Sequence, residues 1–131
     1  MSNQPSSVTL YPYVLCRDVD AEIDWLERAL GFARGEVNRD ESGAVEHAEV
    51  TLGSATVMLG TAGVGREPFS SLPAGGALIS CAVDDVDALH DRARAAGADI
   101  PLEPTDTDYG SRDCTVRDPE GNLWSFGTYR P

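Results

Sequence analysis

The chain has 131 residues, of which 41% are hydrophobic and 24% are charged. This length and apolar content predict one folded domain and exclude an extended disordered chain. Lys and Arg number 10 against 22 Asp and Glu, for a formal net charge of -12. A surface of that sign repels phosphate groups, so we expect neither nucleic acid nor a membrane as a partner.

The first ten residues contain neither a basic segment nor a long apolar run. A secretory signal peptide needs both, so we expect no signal and a cytoplasmic protein. The three cysteines, Cys16, Cys81 and Cys114, lie in apolar, strand-like segments without a CxxC spacing. This pattern predicts buried, reduced thiols.

An internal repeat organises the chain, and each copy starts with an apolar strand, at 11–16 and at 77–83. An aspartate after each strand, Asp18 or Asp85, is suited to cap a helix because its carboxylate can accept from the first turn. Apolar residues then recur at helical spacing until a glycine, Gly31 or Gly97, which favours a left-handed helix end.

Three further strand segments complete each copy, at 34–40, 45–52 and 55–59, then at 99–103, 112–117 and 122–129. The pattern predicts an α+β fold in which a single domain, 1–131, contains two βαβββ modules, at 8–60 and 77–130. Residues 61–76 are rich in Gly, Ser and Pro. They form either a plain linker or a lid over a binding site, and both interpretations stay open.

Strand alternation divides each predicted sheet into two faces. A two-residue turn at 53–54 places one apolar set on the face that packs on the helix: Ala48, Val50, Leu52, Ala55, Val57 and Leu59. His47, Glu49 and Met58 fall on the opposite face, as do Tyr11 and Tyr13 of the first strand. We expect this face to be a concave cup that binds a ligand, unless solvent, the other module or another subunit covers it.

Several motifs accompany this repeat: CRDVDA at 16–21, LGF at 30–32, HAE at 47–49, YGSRDCTVR at 109–117 and DPEGN at 118–122. Together with two βαβββ copies in register, they resemble the vicinal oxygen chelate superfamily. That superfamily comprises glyoxalases, bleomycin-resistance proteins and extradiol dioxygenases, and the likeness is greatest to its PhnB-like or bleomycin-resistance-like branch.

The resemblance implies a divalent metal whose ligands lie on the first and last strands of each module. The matching positions are Tyr11, Met58, Leu78 and Ser125, with 78 − 11 and 125 − 58 both equal to 67. None of the four is an ordinary ligand for such a metal, so we expect no metal and no cofactor.

A displaced metal site would have to use His47 and Glu49, which are two residues apart on the cup face. Two protein ligands fall short of the three that a catalytic zinc site has. The other histidine, His90, lies between Asp87 and Asp91 and is predicted on the solvent-exposed side of the second helix.

The leading hypothesis is a metal-independent protein that binds a small molecule and sequesters an aromatic or cationic compound. The predicted ligand-binding residues are Tyr11, Tyr13, His47, Glu49, Met58, Leu78 and Ser125, with Arg112 at the rim. Arg112 could equally form a surface ion pair, with Tyr109 as a loop anchor.

Two alternatives remain. One is a metal-dependent lyase or dioxygenase with a non-standard ligand set around His47 and Glu49; the other is an interaction module whose cup is filled by another subunit. The resemblance further implies a homodimer, whose modules pack within one chain or are exchanged between two.

Overall fold

Two four-stranded sheets, each with helices on one side, form the computed structural model, which describes residues 7–131. The first module contains β1 (Tyr13–Cys16), α1 (Val19–Trp25), β2 (Ala33–Arg39), β3 (Val45–Leu52) and β4 (Ala55–Thr61). The second contains β5 (Leu78–Ala82), α2 (Val86–Ala95), β6 (Asp99–Asp106), β7 (Arg112–Arg117) and β8 (Leu123–Gly127). The predicted α+β fold of two βαβββ modules is confirmed.

The strand order is the same in both sheets, β1-β4-β3-β2 in the first and β5-β8-β7-β6 in the second. The first and last strands of each module are parallel neighbours, and the other pairs are antiparallel. Tyr13 is opposite Met58, and Ser80 is opposite Ser125. Since 80 − 13 and 125 − 58 both equal 67, the repeat extends to the pairing register.

The helix boundaries follow from the capping residues. Asp18 Oδ1 accepts a hydrogen bond from the Ala21 amide at 3.1 Å, and Asp85 Oδ1 accepts one from the Ala88 amide at 2.9 Å. The first helix continues beyond α1 as a π-helical segment, Leu26–Leu30, and ends at Gly31 with a φ of 81°. Apolar spacing predicts the length of such a helix but does not distinguish the π-helical part.

Both modules contribute to one hydrophobic core, which lies on the helix-covered faces of the two sheets. Ile23 and Leu59 of the first module and Trp124 and Phe126 of the second are fully buried in it. Phe32 packs edge-to-face on Trp124, with a ring centroid separation of 5.5 Å. The two modules of this chain are therefore joined through the side of each sheet that carries the helices.

The turn between β7 and β8 joins the modules by polar contacts. The Glu120 carboxylate accepts hydrogen bonds from the backbone amides of Arg17 and Asp18, at 2.8 and 2.9 Å, just before α1. Asp118 holds the same turn by accepting from the Trp124 indole and from the Asn122 amide, each at 2.9 Å. A rigid acidic turn of the second module thus occupies the positive end of α1.

Glu22 of α1 is the buried acid at this junction, with 1% of its surface exposed. Burial, and then the nearby Asp118 carboxyl, raise the pKa of Glu22 to about 10. Burial alone would raise the pKa of Asp118, but hydrogen bonds from Trp124 and Asn122 hold it below its ordinary value. The proton therefore stays on Glu22, whose two carboxyl oxygens have no hydrogen-bond partner among the described residues.

One histidine differs from its predicted position. His90 is buried rather than solvent-exposed, because β6 packs beside α2 and covers it. Its Nε2 contacts the Glu103 carboxylate, and its Nδ1 is 3.0 Å from Asp91 Oδ1. In the sequence, the acidic residues beside His90 indicate a solvent-exposed position. In the structure, Asp91 and Glu103 are instead the partners of its buried imidazole.

The prediction that residues 1–10 hold no secretory signal lies mainly outside the described residues. Within residues 7–131, no helix is long and apolar enough to cross a bilayer.

The raised pKa of Glu22 gives a testable pH dependence. Between the ordinary carboxyl pKa and about 10, the folded state binds the Glu22 proton and the unfolded state releases it. The free energy of unfolding should therefore fall as the pH rises, by up to about 1.4 kcal/mol per pH unit for this group. Glu22→Gln removes this dependence, so it should stabilise the protein more at about pH 9 than at about pH 5.

Urea unfolding of the wild type and the variant measures the difference. Glu41→Gln, at an exposed turn position, is the control and should leave the pH dependence unchanged. If the free energy of unfolding has the same pH dependence in the wild type and in Glu22→Gln, Glu22 is not protonated in the folded state.

Candidate ligand-binding site

The face of each sheet that points away from the helices is called its outer face. On the outer face of the first sheet, Tyr13 of β1 is opposite Met58 of β4, which is opposite Glu49 of β3. These side chains are partly or largely exposed, whereas Val14 after Tyr13 and the residues on either side of Met58 and Glu49 are buried in the core. Alternation thus places one row of side chains across three strands, as predicted.

Tyr13, His47 and Glu49 form a connected polar chain on this face. His47 Nε2 is 2.9 Å from Glu49 Oε2, and its Nδ1 is 3.5 Å from the Tyr13 hydroxyl. The Tyr13 hydroxyl donates to the Glu46 carbonyl at 3.2 Å. Burial and the Glu46 charge raise the pKa of Tyr13, so its phenol stays protonated. Three groups able to donate or accept hydrogen bonds therefore lie beside an aromatic ring.

Gly60 allows the Tyr13 ring to lie across the sheet. A Cβ atom at residue 60 would be 3.0 Å from the Tyr13 hydroxyl oxygen and 3.1 Å from the ring. Gly60 is on β4, where it is opposite Leu15 of β1. A side chain at residue 60 would therefore crowd the Tyr13 ring.

The segment that connects the modules, residues 61–76, faces this part of the first sheet. It is tied to β1 by a hydrogen bond from the Ala62 amide to the Cys16 carbonyl, at 2.9 Å. At its other end the Ala77 amide donates to Asn122 Oδ1 at 3.0 Å. Between these ties the chain makes a short 3-10 turn, Phe69–Ser71.

A cavity of about 860 Å³ lies between the first sheet and the connecting segment. Tyr13 and Leu15 line it from the sheet, and Val64, Phe69 and Leu72 line it from the segment. Two charged residues, Glu46 and Arg66, also line it. The cavity belongs to the first module and the connecting segment, and its walls are mostly apolar.

Glu46 is a cavity residue that strand alternation does not predict. The pairing of β2 with β3 shifts between Asn38 opposite His47 and Arg39 opposite Val45, which leaves Glu46 as an extra residue. Val45 is consequently buried, and Glu46 is exposed at the cavity. The sequence signal is a break in the alternation of apolar and polar residues at 45–47, where Glu46 and His47 are adjacent polar residues. A prediction that assumes strict alternation misses it.

The predicted site residues of the second module lie elsewhere. Leu78 and Ser125 are on the outer face of the second sheet, opposite Leu123 and Ser80 respectively. The two sheets share no strand pairing within residues 7–131, and neither residue lines the cavity. Tyr11 precedes β1 and is half exposed. Within one chain, the predicted cup residues therefore form two separate surfaces.

Arg112, predicted at the rim of the cup, is instead on the helix side of β7. Its guanidinium pairs with Asp87 of α2 at 2.8 Å and with Asp106 of β6 at 2.9 Å. Alternation along β7 places it on the same side as the buried Cys114. Arg112 therefore forms the surface ion pair that was its alternative interpretation, and its role in ligand binding stays a prediction.

Tyr109 anchors a loop near this strand. Its hydroxyl donates to Asp113 Oδ2 at 3.2 Å, and its ring packs edge-to-face on Tyr129.

The donor set does not fit a bound metal. Tyr11, Met58, Leu78 and Ser125 offer a phenol, a thioether, an alkyl chain and a hydroxyl, none an ordinary ligand for a hard or borderline cation. The displaced pair, His47 and Glu49, is engaged in its own hydrogen bond. No group of three or more His, Cys, Asp or Glu side chains able to hold a metal occurs in the part of the chain that the structure describes.

Comparisons with known proteins agree on the family. Residues 8–126 match the family model described as the Glyoxalase/Bleomycin resistance protein/Dioxygenase superfamily. TioX from Micromonospora sp. ML1 is 33% identical, with a TM-score of 0.78 over 95% of this chain and 100% of that one. A search of curated proteins finds no match.

Two further solved structures show the same fold. A superfamily member from Sphaerobacter thermophilus DSM 20745 is 20% identical, with a TM-score of 0.74 over 92% of this chain and 97% of that one. A glyoxalase/bleomycin resistance protein from Streptomyces sp. CB03234 is 23% identical, with a TM-score of 0.68 over 87% and 94% respectively.

The donor chemistry predicts the metal content of the purified protein. Elemental analysis should find far less than one equivalent of any divalent transition metal, in the wild type and in His47→Ala alike, since the four family positions lack donors. A stoichiometric metal that is lost in His47→Ala would contradict this prediction and favour a lyase or dioxygenase.

Proposed function

The chain belongs to the glyoxalase/bleomycin resistance protein/dioxygenase superfamily, and on that premise we propose that it is a metal-independent protein that binds and sequesters an aromatic small molecule. The binding site of the proposal is the cavity between the first sheet and the connecting segment. No chemical step is assigned to the site, because sequestration needs only binding.

The observation that carries the proposal is the cavity itself. Its volume, about 860 Å³, falls within the range of about 300–1,000 Å³ that small-molecule sites occupy. Phe69 and Leu72 are more than half exposed although they line it. Large apolar side chains grouped at a concave surface favour a ligand that removes them from water.

The polar groups beside the cavity are suited to orienting a ring rather than to reacting with it. Tyr13 offers a ring face for stacking and a protonated hydroxyl. The thiols are unsuited to nucleophilic attack, because burial, above all, raises the pKa values of Cys16, Cys81 and Cys114. These features support a binding protein of the bleomycin-resistance type over an enzyme.

A second copy of the chain would complete a two-sided site. The outer face of the second sheet carries Leu78, which is 69% exposed, and it does not meet the cavity within one chain. A homodimer in which the second sheet of one copy faces the first sheet of the other would cover both outer faces. We include this homodimer in the proposal, together with a cytoplasmic location, where free thiols stay reduced.

The proposal predicts a specific role for Tyr13. Titration with N-phenyl-1-naphthylamine, a neutral aromatic compound that fluoresces in apolar surroundings, should give saturable binding to the wild type. Tyr13→Ala should weaken that binding by about five- to tenfold, because it removes a stacking ring. Tyr109→Ala is the matched control, since Tyr109 is also largely exposed but lies in the second module; it should change the affinity by less than about twofold.

Circular dichroism and thermal unfolding establish that each variant is folded. The proposal fails if the folded wild type gives no saturable binding, or if Tyr109→Ala weakens binding as much as Tyr13→Ala does.

A further inference from the structure

Arg66 differs from most of the other basic residues of the chain, all of which are arginines. Seven arginines pair with carboxylates: Arg17, Arg34, Arg39, Arg94, Arg112, Arg117 and Arg130. Arg92 donates to the backbone carbonyls of Glu27 and Arg28. Among residues 7–131, only Arg66 and Arg28 form neither kind of contact.

The missing partner is not explained by a shortage of carboxylates, because the chain has 22 acidic residues. Glu67 is next to Arg66 in sequence, but its carboxylate accepts hydrogen bonds from the hydroxyls of Ser70 and Ser71. Those bonds hold the pKa of Glu67 below its ordinary value, so the group is ionised and yet turned to the serines. The local fold thereby pairs the carboxylate that is adjacent in sequence with the serines and not with Arg66.

Arg66 lies instead against an aromatic ring. Its guanidinium carbon is 6.0 Å from the centroid of Phe69, and both residues line the cavity. A guanidinium over a ring uses its face in a cation–π contact and leaves its N–H donors free. The cavity wall therefore presents a positive charge with unused donors beside two apolar residues, Phe69 and Leu72.

Glu46 lines the same cavity from the sheet, but within residues 7–131 it forms no ion pair with Arg66. A ligand can satisfy the guanidinium only if it brings an acceptor to the side of the connecting segment. An anionic group is the strongest such acceptor, because charge-assisted and bidentate hydrogen bonds exceed neutral ones. The Glu46 carboxylate would in turn keep that anionic group away from the sheet.

We propose that the ligand is a planar aromatic compound with a carboxylate or sulfonate group, whose anionic group binds Arg66 while its rings lie between Phe69 and Tyr13. The inference rests on the proposed function and assigns the ligand class and its orientation. An anionic ligand differs from the cationic ligand that the acidic sequence suggests. The reason is that the ligand contacts the charge at the cavity wall, whereas the net charge is spread over the whole surface.

Two probes with the same ring skeleton test the inference. 8-Anilinonaphthalene-1-sulfonate carries a sulfonate, whereas N-phenyl-1-naphthylamine is neutral. In fluorescence titrations in one buffer, Arg66→Gln should weaken binding of the sulfonate probe by about five- to tenfold. It should change binding of the neutral probe by less than about twofold. Arg28→Gln is the matched control, since Arg28 is the other arginine of residues 7–131 that contacts neither a carboxylate nor a backbone carbonyl, and it should affect neither probe.

The outcomes separate the two proposals. If neither probe binds the folded wild type, the proposed function fails. If both probes bind but Arg66→Gln weakens them equally, weakens neither, or acts no differently from Arg28→Gln, the ligand class is wrong while the proposed function stands. Loss of affinity for the sulfonate probe alone supports the inference.

Discussion

Each module is a sheet that helices cover on one side only, and this constraint determines where a ligand can bind. The core residues of both modules lie in one cluster on the helix-covered faces. Alternation then directs every second side chain of the first sheet outward, including Tyr13, His47 and Glu49. Side-chain alternation therefore determines both the core face and the outer face of the sheet. A shift of one residue in strand register would turn the core side chains outward and the site side chains inward.

The junction between the modules keeps this arrangement in place. Glu120 of the second module accepts from the amides before α1, and the neighbouring Glu22 is buried and protonated. Asn122 of the same turn holds the end of the connecting segment. One acidic turn thus fixes the helix of the first module and the segment that faces its sheet. In this way the second module shapes the cavity without lining it.

Much of the fold follows from local sequence signals. The strands β3 and β7 have the predicted bounds, because alternating residues and turn residues mark both ends. Asp18 and Asp85 cap the helices as expected. The predicted row of Tyr13, His47, Glu49 and Met58 also shares one face, since a period of two is a property of the strand itself.

What sequence could not supply depends on tertiary contacts. Glu46 reaches the cavity through a bulge in the pairing with β2, and His90 is buried because β6 covers it. Arg112 is on the helix side of its strand, where Asp87 of α2 holds it. Phe69 and Leu72 lie in a segment whose Gly, Ser and Pro content indicates a connection but not what it faces. In each case the partner comes from a distant part of the chain.

We propose that an aromatic ligand binds between the first sheet and the connecting segment. Mapping of amide chemical shifts during titration with N-phenyl-1-naphthylamine locates the bound ligand most directly. We expect the largest changes at Leu15, Gly60, Val64 and Leu72, which surround the cavity. Changes confined to the second sheet, around Leu78 and Ser125, or saturation without any change at the cavity, would contradict it.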